Sequence, residues 1–284
     1  MTVARWTALA VVLLAGGPAQ AALAPVRIDV SRTVIAQGET LDVTVAIPGG
    51  VERVSLRFAG RAFRLYATGP GTWRTVVGTD PLSSPGAHAI VVEAMGPAGT
   101  PLGARVPVRV RKVTFPTRHL AFDPERRALL RPEVAARERA RVNAALRVLH
   151  PAPLWDGPFA RPLEAPISSP YGVLSIYHGQ VRGFHTGTDF AAPEGTPVYA
   201  AAAGIVRLAE ELPLSGKAVL VDHGLGIVTS YLHLSSISAR VGQRVRKGEL
   251  IGHVGSTGLA TGPHLHWGMR ANGVRVDPMP WTAP

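Results

Sequence analysis

Apolar residues recur at every second position in several separate stretches, and this period limits the possible folds more than any other feature of the chain. Leu41, Val43, Val45 and Ile47 alternate with polar or small residues, as do Val54, Leu56 and Phe58, and Val106, Val108 and Val110 alternate with Arg105, Arg109 and Arg111. Successive side chains of an extended chain point to opposite faces, so each run offers one face to a core and the other to water. Turn signals separate the runs: Gln37-Gly38, Pro48-Gly49-Gly50, Gly69-Pro70-Gly71, Ser84-Pro85-Gly86 and Gly96-Pro97. Short strands at this spacing predict a β-sandwich of immunoglobulin-like type over residues 22–113. No group of titratable side chains gathers there, which points to an accessory role rather than a chemical one.

Residues 1–21 read as a secretory leader: Arg5, an apolar core over 8–15, a Gly16-Gly17-Pro18 break, then Ala19-Gln20-Ala21 with cleavage expected before Ala22. The apolar run is shorter than the roughly 20 residues that a bilayer crossing needs. The expectation is export to the periplasm or cell envelope, or secretion, with no stable membrane span after cleavage. Residues 114–165 read as a linker with one helix at about 132–149, where Pro132 suits the first turn and Val142, Ala145, Leu146 and Leu149 share a face. Arg137, Arg141 and Arg147 are expected on its solvated side. His150-Pro151-Ala152-Pro153 ends the helix, and the Pro-rich stretch to Pro166 is expected to run extended over a surface. Residues 166–284 return to strand patterns at 196–200, 204–209, 218–223, 227–233, 250–254, 265–270 and 274–276, which predicts a second domain built on a twisted antiparallel sheet with long loops.

The formal charge of +11 suits a polyanionic partner. The arginines are scattered, however, with no basic block and no interleaved aromatic platform, so nucleic acid is not expected. Cysteine is absent, which removes disulfides, thiolate ligands and cysteine nucleophiles and leaves histidine and carboxylates to hold any metal. Six of the ten histidines fall between Phe184 and Trp267, with His178 just before them. His185 and Asp189 lie four apart around Gly187, where a side chain would crowd the metal or the backbone turn. In His264-Leu265-His266, strand periodicity points both imidazoles into one cleft and Leu265 into the opposite layer. His233 ends another strand and can bring a further imidazole there. Such a set can supply a catalytic zinc with three protein ligands, an open position and a nearby base. His223 and His253 read as structural, and His88, His119 and His150 receive no role. No His-Glu-x-x-His helix or Gly-x-Ser-x-Gly elbow occurs, and the glycine loop over 255–262 lacks a phosphate-loop ending.

These motifs resemble a known family. His185-x-Gly187-x-Asp189, Tyr231-x-His233-Leu234 and Gly262-Pro263-His264-Leu265-His266, with Ala192-Pro193-x-Gly195-Thr196-Pro197-Val198 between them, resemble the M23 zinc metallopeptidases of lysostaphin and LytM type over about residues 165–280. The resemblance implies a small antiparallel β domain with a groove, and a substrate in the peptide part of bacterial peptidoglycan. It implies zinc held by His185, Asp189 and His266, with His264 and His233 as the catalytic histidines that activate water and stabilise the oxyanion. Which of the two is the general base stays open. The expected function is that of an exported zinc-dependent endopeptidase cutting stem peptides or cross-links. The alternative is a non-catalytic wall-binding protein or an activator of other wall hydrolases, since some members lose zinc ligands; the full set here favours the enzyme. Accessory regions in the family occlude the groove or bind wall polymer or partners, so a regulatory envelope protein joins peptidoglycan among the expected partners. The plain leader, with no glycine-bridge targeting domain, points to a periplasm and a D-Ala to diaminopimelate bond.

Overall fold

The computed structural model describes residues 7–8, 26–47, 51, 53–96, 99–119, 131–177 and 180–283, without the side chains of 7, 8, 177 and 180–182. The expected leader lies outside them apart from Thr7–Ala8, a short strand beside Arg27–Val30. The chain is mainly β and divides into two compact units, residues 1–113 and 114–284.

The first unit is built from two five-stranded sheets. One carries Arg27–Val30, Thr40–Ala46, Thr72–Gly78 and Tyr66–Gly69; the other carries Val34–Ala36, Pro101–Arg111, Gly86–Met95, Arg53–Phe58 and Arg61–Phe63. The period-two residues do what their alternation requires: Leu41, Val43, Val45, Leu56, Phe58, Val106, Val108 and Val110 are all buried. Between Val30 and Val34 the chain passes from one sheet to the other, where Val34–Ala36 pairs in parallel with 109–111. Arg105, Arg109 and Arg111 stay exposed on the outer face.

The second unit centres on a ten-stranded sheet. Its main path runs Ile167–Ser169, Gly187–Phe190, Leu265–Ala271, Ile227–Ile237, Gly216–Gly224, Gly204–Leu212, Arg244–Val245, and its pairings are antiparallel. Leu250–Val254 pairs with both Ile227–Ile237 and Pro197–Tyr199, and Val274–Val276 pairs with Leu265–Ala271. One face buries Tyr231 directly opposite Trp267, with Phe190 and Leu265 beside them. His223 lies in this interior with both ring nitrogens bonded, to Ala203 O at 2.8 Å and to Thr229 Oγ1 at 2.7 Å. A separate three-stranded sheet joins Thr117–His119, Leu174–Tyr177 and Gln180–Phe184.

The helix, α1 (Pro132–Ala145), belongs to this second unit. It ends at Ala145, yet Leu146 and Leu149 still pack with Val142 on Leu208, Leu212, Ala218, Leu220 and Val228 of the sheet. Glu138 is buried too, and its carboxylate accepts hydrogen bonds from Leu214 N at 2.6 Å, Ser215 N at 3.4 Å and Ser215 Oγ at 2.6 Å. On the exposed side Arg141 pairs with Glu210 at 2.7 Å. The extended stretch that follows is pinned by Phe159, which is fully buried with its ring 4.9 Å from that of His223.

Candidate active site

Cross-strand register builds the centre of the site. Asp189 stands directly opposite His266, and Gly187 opposite Gly268. Directly opposed residues of an antiparallel pair share a face, so carboxylate and imidazole meet although 77 residues separate them. His185 enters from the turn before that strand. Its Nδ1 lies 2.8 Å from Pro170 O, and because a carbonyl only accepts, Nδ1 carries the proton and Nε2 offers its lone pair inward.

His185 Nε2, Asp189 Oδ1 and His266 Nδ1 converge, with separations of 2.9, 2.9 and 3.0 Å. An anionic oxygen and two ring nitrogens this close together can hold a cation between them. Two imidazoles and a carboxylate form a donor set of the kind zinc accepts, so the residues present fit a metal ion. Burial by itself would raise the Asp189 carboxyl, but the two imidazoles packed against it, His185 and His266, hold it well below the usual carboxylate range. Burial lowers His266, with Asp189 partly offsetting it. Gly187 is required by close approach: a Cβ there would lie 2.4 Å from Trp267 O and 2.7 Å from His266 Nε2.

Two further imidazoles flank the cluster. His264 Nδ1 lies 2.8 Å from Gly262 O, which fixes the proton on Nδ1 and aims Nε2 at the cluster, 3.9 Å from Asp189 Oδ1. His233 Nδ1 is likewise held by Thr257 O at 2.8 Å, and its ring centre lies 4.9 Å from that of His264 and 6.2 Å from that of His266. Burial first, then the charge of His266, pushes His233 down to about 4, so it is neutral at pH 7.

Strand alternation would send His233 elsewhere. Leu232 stands opposite His266 and shares its face, so a regular strand would turn His233 to the Tyr231 side. The backbone at His233 instead takes φ +64°, and the register shifts on both sides of it, between Lys217 and Val219 and between Leu234 and Ser236. Such bulges re-aim a side chain, and a left-handed non-glycine residue costs on the order of 1–3 kcal/mol. A hydrogen bond from His233 N to Ser215 O at 2.9 Å holds the turn.

The structure thus gathers His185, Asp189, His266, His264 and His233 in one cleft and leaves His223 and His253 out of it. Sequence reasoning missed the groups that orient the rings. Pro170, Thr257 and Gly262 act through backbone carbonyls, which no side-chain pattern marks, although Thr257 and Gly262 both lie in the glycine loop over 255–262.

Residues 183–278 match the family described as Peptidase family M23. The chain is 46% identical over 118 residues to the DD-carboxypeptidase/endopeptidase Mpg of Neisseria meningitidis serogroup B, covering 42% of this chain and 27% of that protein. It is 45% identical over 100 residues to the peptidoglycan DD-endopeptidase ShyA of Vibrio cholerae, covering 35% of this chain and 23% of that one. The chain therefore spans about a quarter of the length of these curated relatives. A Pseudomonas aeruginosa crystal structure described as a peptidase M23 matches at a TM-score of 0.59 and 31% identity, covering 86% of this chain and 92% of that one. Fold and matches together define a peptidase-family domain in which His185, Asp189 and His266 are placed to hold a metal. The chain belongs to peptidase family M23.

Proposed function

We propose that the chain is an exported zinc-dependent endopeptidase that hydrolyses peptide bonds in peptidoglycan stem peptides or cross-links. The observation that carries this reading is the convergence of His185 Nε2, Asp189 Oδ1 and His266 Nδ1 within 3.0 Å, with His264 and His233 beside them. The names of the relatives, a DD-carboxypeptidase/endopeptidase and a peptidoglycan DD-endopeptidase, support the substrate class. The sequence of residues 1–21 supports export.

His185, Asp189 and His266 hold the zinc in this reading. When bound, zinc lowers the pKa of water and polarises a carbonyl. The remaining chemistry belongs to the two flanking histidines. Each keeps Nδ1–H on a backbone carbonyl and turns an Nε2 lone pair to the cleft, so each accepts a proton when neutral and donates only after taking one. His264, whose side chain keeps 17% of its surface exposed, takes the proton of the attacking water and returns it to the leaving amine. His233 can steady the oxyanion only in its protonated form, which its pKa of about 4 makes a minor form at pH 7.

The test is digestion of isolated sacculi by the purified, zinc-loaded full chain, with the products read by mass spectrometry. Soluble muropeptides released by the wild-type chain and absent with His185→Ala and His264→Ala are expected, and a D-Ala to diaminopimelate cut is the expected product. Equal, background-level release by all three chains refutes the reading and leaves a wall-binding or activator role.

A further inference from the structure

The sheet face that carries the five site residues also carries a second concentration of charge. A cavity of about 180 Å³ lies between this face and α1, with Thr186 and Leu232 lining it beside the metal ligands and Arg139, Arg270 and Arg275 lining it further along. Thr186 follows His185 in the chain, and Leu232 stands across the ladder from His266, so the cavity adjoins the cluster. The sheet face is low where Gly187, Gly268 and Ser230 pair across three strands.

The arginines sit in an arrangement that costs energy unless an anion joins them. Arg270 and Arg275 are direct cross-strand partners, a placement in which like charges repel. Arg139 reaches the same cavity from α1. Burial and then the charge of Arg275 lower Arg270 to about 10, and burial and then Arg139 lower Arg275. Among the described residues, none of the three forms an ion pair. Glu138, the carboxylate lining this cavity, attracts Arg275 and offsets part of this repulsion without forming an ion pair, its oxygens accepting from Leu214 N, Ser215 N and Ser215 Oγ. Guanidinium forks match a carboxylate in both shape and charge.

We propose that Arg139, Arg270 and Arg275 form a subsite that takes a free carboxylate of the substrate peptide, three to four residues along from the bond that is cut. The inference rests on the peptidase reading above. The spacing follows from the strand: Arg270 lies four positions beyond His266 on the same face, about 13 Å at ~3.3 Å per residue, and an extended peptide covers about 3.3–3.6 Å per residue. A chain-terminal and a side-chain carboxylate present the same chemistry, and the experiment separates them.

Cross-linked muropeptide dimers are prepared unmodified, with the terminal carboxylate amidated, and with the side-chain carboxylates amidated. They are given to the full chain and to its Arg275→Gln, Arg270→Gln and Arg139→Gln variants. The wild-type chain is expected to prefer one carboxylate form over its amide by about 10- to 100-fold in kcat/KM, mostly through KM. Arg275→Gln brings that ratio close to one. Arg139→Gln, an exposed change on α1, lowers the ratio in the same direction even where Arg270→Gln fails to fold. Equal cleavage of all forms by the wild-type chain overturns the subsite and leaves the peptidase reading standing. Calorimetric binding of the same dimers to the His264→Ala chain reads the subsite apart from cleavage. Equal affinity for carboxylate and amide there, or an unchanged preference after Arg275→Gln, overturns the subsite whatever the activity.

Discussion

Replacing Glu138 should damage the active site from outside it. Its carboxylate receives two bonds of 2.6 Å and one of 3.4 Å from Leu214 and Ser215, and the Ser215 carbonyl in turn accepts the His233 backbone N–H at 2.9 Å. Hydrogen bonds to a charged group contribute about 1.5–3 kcal/mol each. With the two short bonds dominant, Glu138→Ala is expected to destabilise the chain by about 3–6 kcal/mol, or about 6–24 °C in Tm at roughly 2–4 °C per kcal/mol for a unit of this size. Glu138→Gln keeps an acceptor and loses the charge, so about 1–2 kcal/mol is expected. Thermal and urea unfolding provide the first readout. The second is kcat on wall peptides well below the variant's Tm, where a fall of about tenfold or more is expected because small misplacements of a catalytic group are costly. Full stability with full activity would refute the coupling between helix and turn. Lost stability with an unchanged kcat of the folded fraction would reduce Glu138 to a helix anchor.

Other consequences are equally open to measurement. Burial lowers His223 to about 4 from an ordinary value near 6.5, so its stabilising effect is complete above pH 6.5 and is lost as pH falls toward 4, about 3 kcal/mol in all; unfolding free energy measured between pH 7 and 4 should show this slope, and His223→Phe should flatten it. Gly187→Ala places a methyl group 2.4 Å from Trp267 O, so zinc content by mass spectrometry should fall at least tenfold while far-ultraviolet circular dichroism is retained. Treatment with a chelator should abolish wall digestion and lower Tm, and zinc at 100 times its Kd should restore about 2.7 kcal/mol; an unchanged Tm after verified metal removal would count against the metal site. Asp189→Asn removes the anionic ligand and should weaken zinc affinity with little change in the zinc-free Tm, as read by competition with a coloured chelator.

The parts of this protein that were legible in its sequence are those governed by a local period. The alternation at Leu41 to Ile47 announced a half-buried strand, and the pair His264 and His266 announced a shared face, because both depend only on neighbouring residues. Gly187 was legible as a crowded position between His185 and Asp189, but what a side chain there would strike, Trp267 O and His266 Nε2, lies on the paired strand and was not. The direction of His233 was not, since its period points toward Tyr231 and only a left-handed backbone, fixed by pairing on both sides, turns it to the cleft. Glu138 was hidden for a similar reason: on a helix of arginines it reads as one more solvated charge, and its partners Leu214 and Ser215 lie 76 and 77 residues away. The outward arginines of α1 read as solvated, as Arg141 is, whereas Arg139 borders the cavity because of where the helix docks.

The direct opposition of Asp189 and His266 also bears on chain closure. A metal held by His185, Asp189 and His266 ties together points 77 and 81 residues apart along the backbone. In the chain-entropy picture a covalent link closing a loop of that length restricts the unfolded ensemble by about 4.5 kcal/mol. A chain without cysteine has no disulfide with which to make such a link. An ion held there would therefore also act as a long-range clasp of the domain, so that losing it would loosen the fold and disperse the site in one step.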